Sequence, residues 1–131
     1  MWAAEETLLV RGQALVIAGP PGCGKSALAI AIAKAHGTYA EVPARDLESP
    51  FSFGRWLAQQ LDVLIIEGAP PQGQALQEVK AAITNPQVEC HLKGVPTRLV
   101  QSPNFIFCTG HVDWIGPTDR RFFVHRMAAQ P

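Results

Sequence analysis

The tightest constraint on this chain is an abrupt change of local character near its start. Gln13–Ala18 (QALVIA) is a short continuous apolar run, the pattern of a strand buried on both faces of a parallel sheet. It stops at Gly19-Pro20-Pro21-Gly22-Cys23-Gly24, which can continue neither a strand nor a helix. Lys25–Ala35 (KSALAIAIAKA) is alanine-rich, with Leu28, Ile30 and Ile32, and predicts a strong helix ended by Gly37. A buried strand, a glycine turn and a helix in direct succession require a sheet with helices packed on it.

The rest of the chain repeats that alternation. Thr38–Val42 predicts a strand, Asp46–Gln60 a loop and a short helix, and Val63–Ile66 a second buried strand. Pro70-Pro71 between Gly68 and Gly73 marks a loop. Gln74–Ile83 places Leu76, Val79, Ala82 and Ile83 at helical spacing. Val88–Val100 alternates weakly about Lys93-Gly94, as a hairpin does. Phe105–Cys108 and Phe122–Val124 read as further strands. The expected architecture is α/β, one domain over residues 1–131, with a central, mostly parallel sheet flanked by helices.

Composition narrows the class. With 131 residues, 47% hydrophobic and 17% charged, the chain can bury a core without disulfides or a structural metal. Its apolar runs are far short of the ~20 residues that cross a bilayer, and the N-terminal MWAAEETLLVRG has no basic segment of the signal-peptide type. Cys23, Cys90 and Cys108 are odd in number with no CxxC, which points to a reducing, cytoplasmic location and offers no zinc framework. Net charge is zero, which excludes a uniformly basic nucleic-acid binder, yet residues 1–79 sum to −3 and residues 80–131 to +3. A dipolar chain can still present a basic face to phosphates.

Gly19-x-x-x-x-Gly24-Lys25-Ser26 is a complete P-loop (Walker A) pattern in the required strand-loop-helix context. Glycines permit the backbone angles that turn successive N–H groups inward, and the new helix adds its positive dipole end at the same point. Gly19, Pro20, Pro21, Gly22, Cys23, Gly24, Lys25, Ser26 and Ala27 are the expected nucleotide contacts. Lys25 would bridge the β- and γ-phosphates, and the Ser26 hydroxyl would ligate Mg²⁺. Val63-Leu64-Ile65-Ile66-Glu67 delivers a carboxylate at a strand's carboxyl end, a Walker B arrangement, so Ser26 and Glu67 are the expected metal ligands and Glu67 the expected water-orienting acid. Gly68 stands where many P-loop ATPases carry a second acid, leaving Glu41, Asp62 or Glu78 as substitutes. The implied cofactors are ATP and Mg²⁺.

The second half sharpens the class. Pro103-Asn104-Phe105-Ile106-Phe107-Cys108-Thr109-Gly110-His111, followed by Thr118-Asp119-Arg120-Arg121-Phe122-Phe123-Val124, resembles the phage and plasmid superfamily 3 helicases of the AAA+ class. The resemblance spans about Gln13 to Val124. It implies an ATP-hydrolysing DNA-replication motor that works as a homo-oligomeric, hexameric ring with ATP between subunits. It puts Thr109-Gly110-His111 at the sensor position where the family usually has asparagine, with Thr109 or His111 as the donor, and Arg120 and Arg121 where an arginine reaches a neighbour's γ-phosphate. It also makes Val88–Val100 a hairpin that grips single-stranded DNA through Lys93, His91 and Arg98. Against each role stands an ordinary one: a loop histidine at His111, an ion pair of Arg120 or Arg121 with Asp119 or Glu67, surface charge on the hairpin. Trp56 with Phe51 and Phe53, and Trp114, read as packing. The rival function is a nucleotide-binding assembly module with weak or no hydrolysis, which Gly68 and Thr109-Gly110 favour. A small-molecule kinase lacks room for a lid between Lys25 and Val63.

Overall fold

The computed structural model describes residues 9–128, so most of the segment read for a signal peptide lies outside the described residues, as do residues 129–131 of the expected domain. Along the chain run β1 (Ala14–Ala18), α1 (Lys25–His36), β2 (Tyr39–Pro43), a 3-10 turn (Ala44–Leu47), α2 (Pro50–Ala58), β3 (Val63–Glu67), α3 (Gln74–Thr84), β4 (Gln87–Cys90), β5 (Arg98–Gln101), β6 (Asn104–Thr109) and β7 (Phe122–Arg126). β1, β2, β3, β6 and β7 form one sheet in the order β2-β3-β6-β1-β7, and every pairing in it is parallel. The apolar runs of the sequence are its interior: all of β1, and Val63 to Ile66 of β3, are buried.

Strand pleating divides the side chains between two faces. Leu15, Ile17, Val63, Ile65, Ile106 and Cys108 meet α1 through Ala29, Ile32 and Ala33. The alanines let the helix lie close to the sheet. On the other face Val16, Leu64, Ile66, Phe105 and Phe107 meet Phe53 and Leu57 of α2, Val79 and Ile83 of α3, and Val100 of the hairpin. Ser49 caps α2, its Oγ accepting the Phe51 N–H at 3.2 Å, and Pro50 opens it.

Two connections depart from the simplest α/β plan. β4 and β5 pair only with each other, as a two-stranded antiparallel sheet packed on α2. The close approach runs through Gly54, where a Cβ would collide with the His91 carbonyl, and the Cys90 thiol donates to the Gly54 carbonyl at 3.3 Å. The crossover from β6 to β7 passes β1 without a helix. Trp114 does the helix's packing there, its ring 5.5 Å from Phe107 and 5.2 Å from Phe122, with Nε1 donating to the His111 carbonyl at 2.9 Å. Among the described residues no helix is long and apolar enough to cross a membrane.

Candidate functional site

Parallel pairing brings the carboxyl ends of all five strands to one pole of the sheet, the place where open α/β sheets bind ligands. Ala18 sits opposite Thr109 on one side and Arg126 on the other, and Glu67 opposite Cys108. The glycine loop leaves the sheet pinned on both flanks. The Gly19 N–H donates to the Thr109 carbonyl at 3.2 Å, and the Met127 N–H to the Ala18 carbonyl at 2.7 Å. A Cβ on Gly19 would lie 2.7 Å from the Met127 carbonyl oxygen and 2.8 Å from Cys23 Sγ, so only glycine fits. Gly22 (φ +78°) and Gly24 (φ +92°) hold the left-handed conformation that curls the backbone. Gly24 is the N-cap of α1 and supplies no capping side chain, so the helix presents its first-turn amides at the loop.

Two side chains close this pole. Lys25 Nζ donates to the carbonyls of Gly19 at 2.8 Å and Pro20 at 2.9 Å, folding an ammonium back over the loop. Ser26 Oγ donates to Glu67 at 3.1 Å and 3.3 Å from its two carboxylate oxygens, joining α1 to β3. Cys23 and Cys108 are buried beneath. Burial, with Glu67 adding to it, pushes the Cys108 thiol up to about 12, so it stays protonated and serves packing.

The substitute acids separate by position. Glu41 pairs in register with Ile65, two residues before Glu67 on the same face of the neighbouring strand. Glu78 is exposed on α3, where it accepts from Gln74 at 3.0 Å. Asp62 lies at the far, amino end of β3. The Thr38 backbone N–H and then its hydroxyl, at 2.8 Å and 3.0 Å, hold its carboxyl below the ordinary value. Gly68 has φ +110°, a conformation that disfavours any second acid at that position. Thr109 is buried, and its hydroxyl donates to the His111 carbonyl at 2.9 Å. The His111 ring pairs with Asp113 in solvent.

Arg120 and Arg121 lie at the opposite pole, before β7, where the Ala14 N–H donates to the Arg121 carbonyl at 2.6 Å. Five strand residues, about 15 Å, separate them from the glycine loop within one chain. Arg121 pairs with Asp119 at 3.3 Å, and Lys80 of α3 pairs with the same carboxylate oxygen at 3.3 Å. These groups, with Gly12, Gly116, Thr118 and Arg120, line an open depression of about 640 Å³. At the hairpin, Lys93 Nζ lies 5.9 Å above the ring of the exposed Phe51, His91 pairs with Thr97, and Arg98 is exposed. Lys80 and Arg126 carried no expected role from the sequence, and Phe51 only that of packing. Arg126 was findable by counting β7 against β1; the exposure of Phe51 beneath Lys93 and the pairing of Lys80 carried no local signal, because their neighbours come from distant segments.

No protein-family model matches the chain, and no curated protein matches it. Solved structures do. The C-terminal region of NrS-1 in its apo form is similar at 20% identity and TM-score 0.69 over 90% of this chain. Two further apo structures of that region (305–718) are similar at 21% identity, with TM-scores of 0.65 over 92% and 0.66 over 91% of this chain. The chain spans 29% to 30% of the length of those structures. The likeness establishes the fold, a parallel five-stranded sheet flanked by helices, that this chain shares with part of the NrS-1 C-terminal region.

Proposed function

We propose that this chain is the ATP-binding and ATP-hydrolysing domain of a ring-forming DNA motor of the superfamily 3 helicase type. The observation that carries the reading is the meeting of Ser26 with Glu67 across the mouth of the glycine loop, 41 residues apart in sequence. A glycine loop at the head of a helix and an acid-ended strand converge there. The hydroxyl and carboxylate are hard oxygen donors, and magnesium commonly takes one or two such groups beside phosphates and water, so the pair fits that ion. When bound, the ion neutralises charge on the phosphates.

In this reading the amides of the loop and of the first turn of α1 receive the triphosphate. Lys25 exchanges the carbonyls of Gly19 and Pro20 for phosphate oxygens. Glu67 orients the attacking water, and Arg121 acts on the nucleotide of a neighbouring copy, because its own lies at the other end of the strands. The hairpin faces single-stranded DNA, Lys93 supplying charge and Phe51 a stacking surface. The likeness to the NrS-1 region supports the architecture this reading needs. A second reading, a nucleotide-binding assembly module that hydrolyses slowly or not at all, is favoured by the Thr109 hydroxyl being taken by His111 and by the backbone of Gly68.

Calorimetry with ATP and Mg²⁺ tests the core of the proposal. Wild type should bind, and Lys25→Ala should lose about ten- to a hundredfold in affinity, the worth of a charged hydrogen bond. Equal affinity in both proteins overturns the assignment. Turnover stimulated by single-stranded DNA then separates the motor from the module.

A further inference from the structure

We infer that Lys80 and Asp119 form a handover pair: Lys80 is the cation that stays on Asp119 when Arg121 leaves it for a nucleotide on a neighbouring copy. The inference deepens, and rests on, the proposed action of Arg121 across subunits. One carboxylate oxygen of Asp119 lies 3.3 Å from Lys80 Nζ and 3.3 Å from the Arg121 guanidinium. The other accepts the Arg121 backbone N–H at 3.1 Å, which fixes the carboxylate whatever the arginine side chain does. The Asp119 side chain is only 12% exposed. A carboxylate so far withdrawn from water is costly to leave without a counter-ion.

The two cations are not equivalent. Lys80, 21% exposed, rises from α3 directly after the fully buried Val79, so its backbone is anchored in the core. Arg121, which lines the open depression at the amino pole beside Lys80, is more exposed, at 39%. Its guanidinium suits bidentate binding of a phosphate, which an ammonium does not match. An incoming phosphate therefore draws off the arginine, and Asp119 keeps Lys80 and the backbone N–H. Without Lys80, Arg121 is the one remaining ion-pair partner of Asp119 among the described residues, and Asp119 holds it back. Lys80 is thus a positioning residue acting through Asp119.

Steady-state ATP turnover and the mass of the assembly formed on a non-hydrolysable ATP analogue, each with Mg²⁺, test this together. Lys80→Met should lower kcat about tenfold with KM for ATP unchanged, and Lys80→Arg should restore it. Adding Asp119→Asn to Lys80→Met should also restore kcat, because no carboxylate remains to retain the arginine; a packing role for Lys80 predicts no recovery. Wild-type kcat in Lys80→Met, or a double variant as slow as the single, overturns the handover. Arg121→Ala separates the two ideas. Full turnover in that variant overturns action across subunits and the handover with it, whereas its loss beside a normal Lys80→Met overturns the handover alone. If wild type does not turn over, assembly decides: Lys80→Met should associate about tenfold more weakly and the double variant should recover, while equal association constants overturn the inference.

Discussion

The two poles of the sheet hold their cations in opposite ways. At the carboxyl pole Lys25 lies on neutral carbonyls of its own loop, groups that an anion can displace without stranding a charge. At the amino pole Arg121 and Lys80 share a carboxylate that is mostly out of water. The first arrangement is the one the proposed phosphate site needs. The second couples two cations to one carboxylate at the far end of the strands from the glycine loop. Backbone geometry follows the same division. Gly19 is wedged between Met127 and Cys23, whereas Gly116 has only Asp119 Cβ within reach, at 3.8 Å. A tightly packed glycine at one end and a shared ion pair at the other are what the proposed meeting of the two ends across copies requires.

Arg121→Ala should break this comparison most visibly. Turnover is expected to fall by about 10³ with nucleotide affinity unchanged, the effect of removing an arginine supplied by a neighbour. Mixing that variant with Lys25→Ala should recover part of the rate, since some interfaces then pair an intact loop with an intact arginine. Affinity falling in parallel with rate would place Arg121 in its own chain's site and erase the distinction between the poles.

The glycines come next. Gly19→Ala forces a Cβ against a backbone oxygen, and overpacking of that kind costs about 1–3 kcal/mol. Thermal unfolding should register a drop in Tm on the order of 5–10 °C. Gly116→Ala has room and no left-handed backbone, so it should stabilise by about 0.5 kcal/mol through the unfolded chain. Equal responses would show that the poles are equally rigid.

The smallest effect compares the two ends of β3. Glu67 accepts from the Ser26 hydroxyl, while Asp62 is held by the Thr38 N–H and hydroxyl. Because the folded Asp62 carboxyl titrates below the ordinary 3.8, its contribution to stability is present above about pH 4 and is lost as pH falls through the folded value. An NMR titration should show that depressed midpoint. Thr38→Val should move it part of the way back, since the stronger backbone bond remains; no movement would assign the whole effect to the backbone.

Much of this was legible in the chain itself. QALVIA and VLIIE are apolar at every position but the ends because both faces of β1 and β3 are covered, so no alternation was needed to identify them. Lys25 to Ala35 formed the expected helix, one residue longer, because alanine favours helix without help from neighbours. Phe51, Phe53 and Trp56 show where such reading stops. All three read as a packed cluster, yet Phe53 is buried, Trp56 is half-buried with its N–H on Asp46 at 2.9 Å, and Phe51 is 40% exposed under Lys93. Which face of a short helix meets the sheet depends on the hairpin laid against it.

Local composition determined the strands, the glycine loop and the helix that follows it, because backbone strain and side-chain entropy act within a few residues. Only the tertiary structure decided that β6 lies between β1 and β3, that Ser26 meets Glu67, and that Lys80 and Arg121 share Asp119. Those meetings join segments tens of residues apart. They are fixed by strand order and by the burial that order permits, which no local pattern encodes.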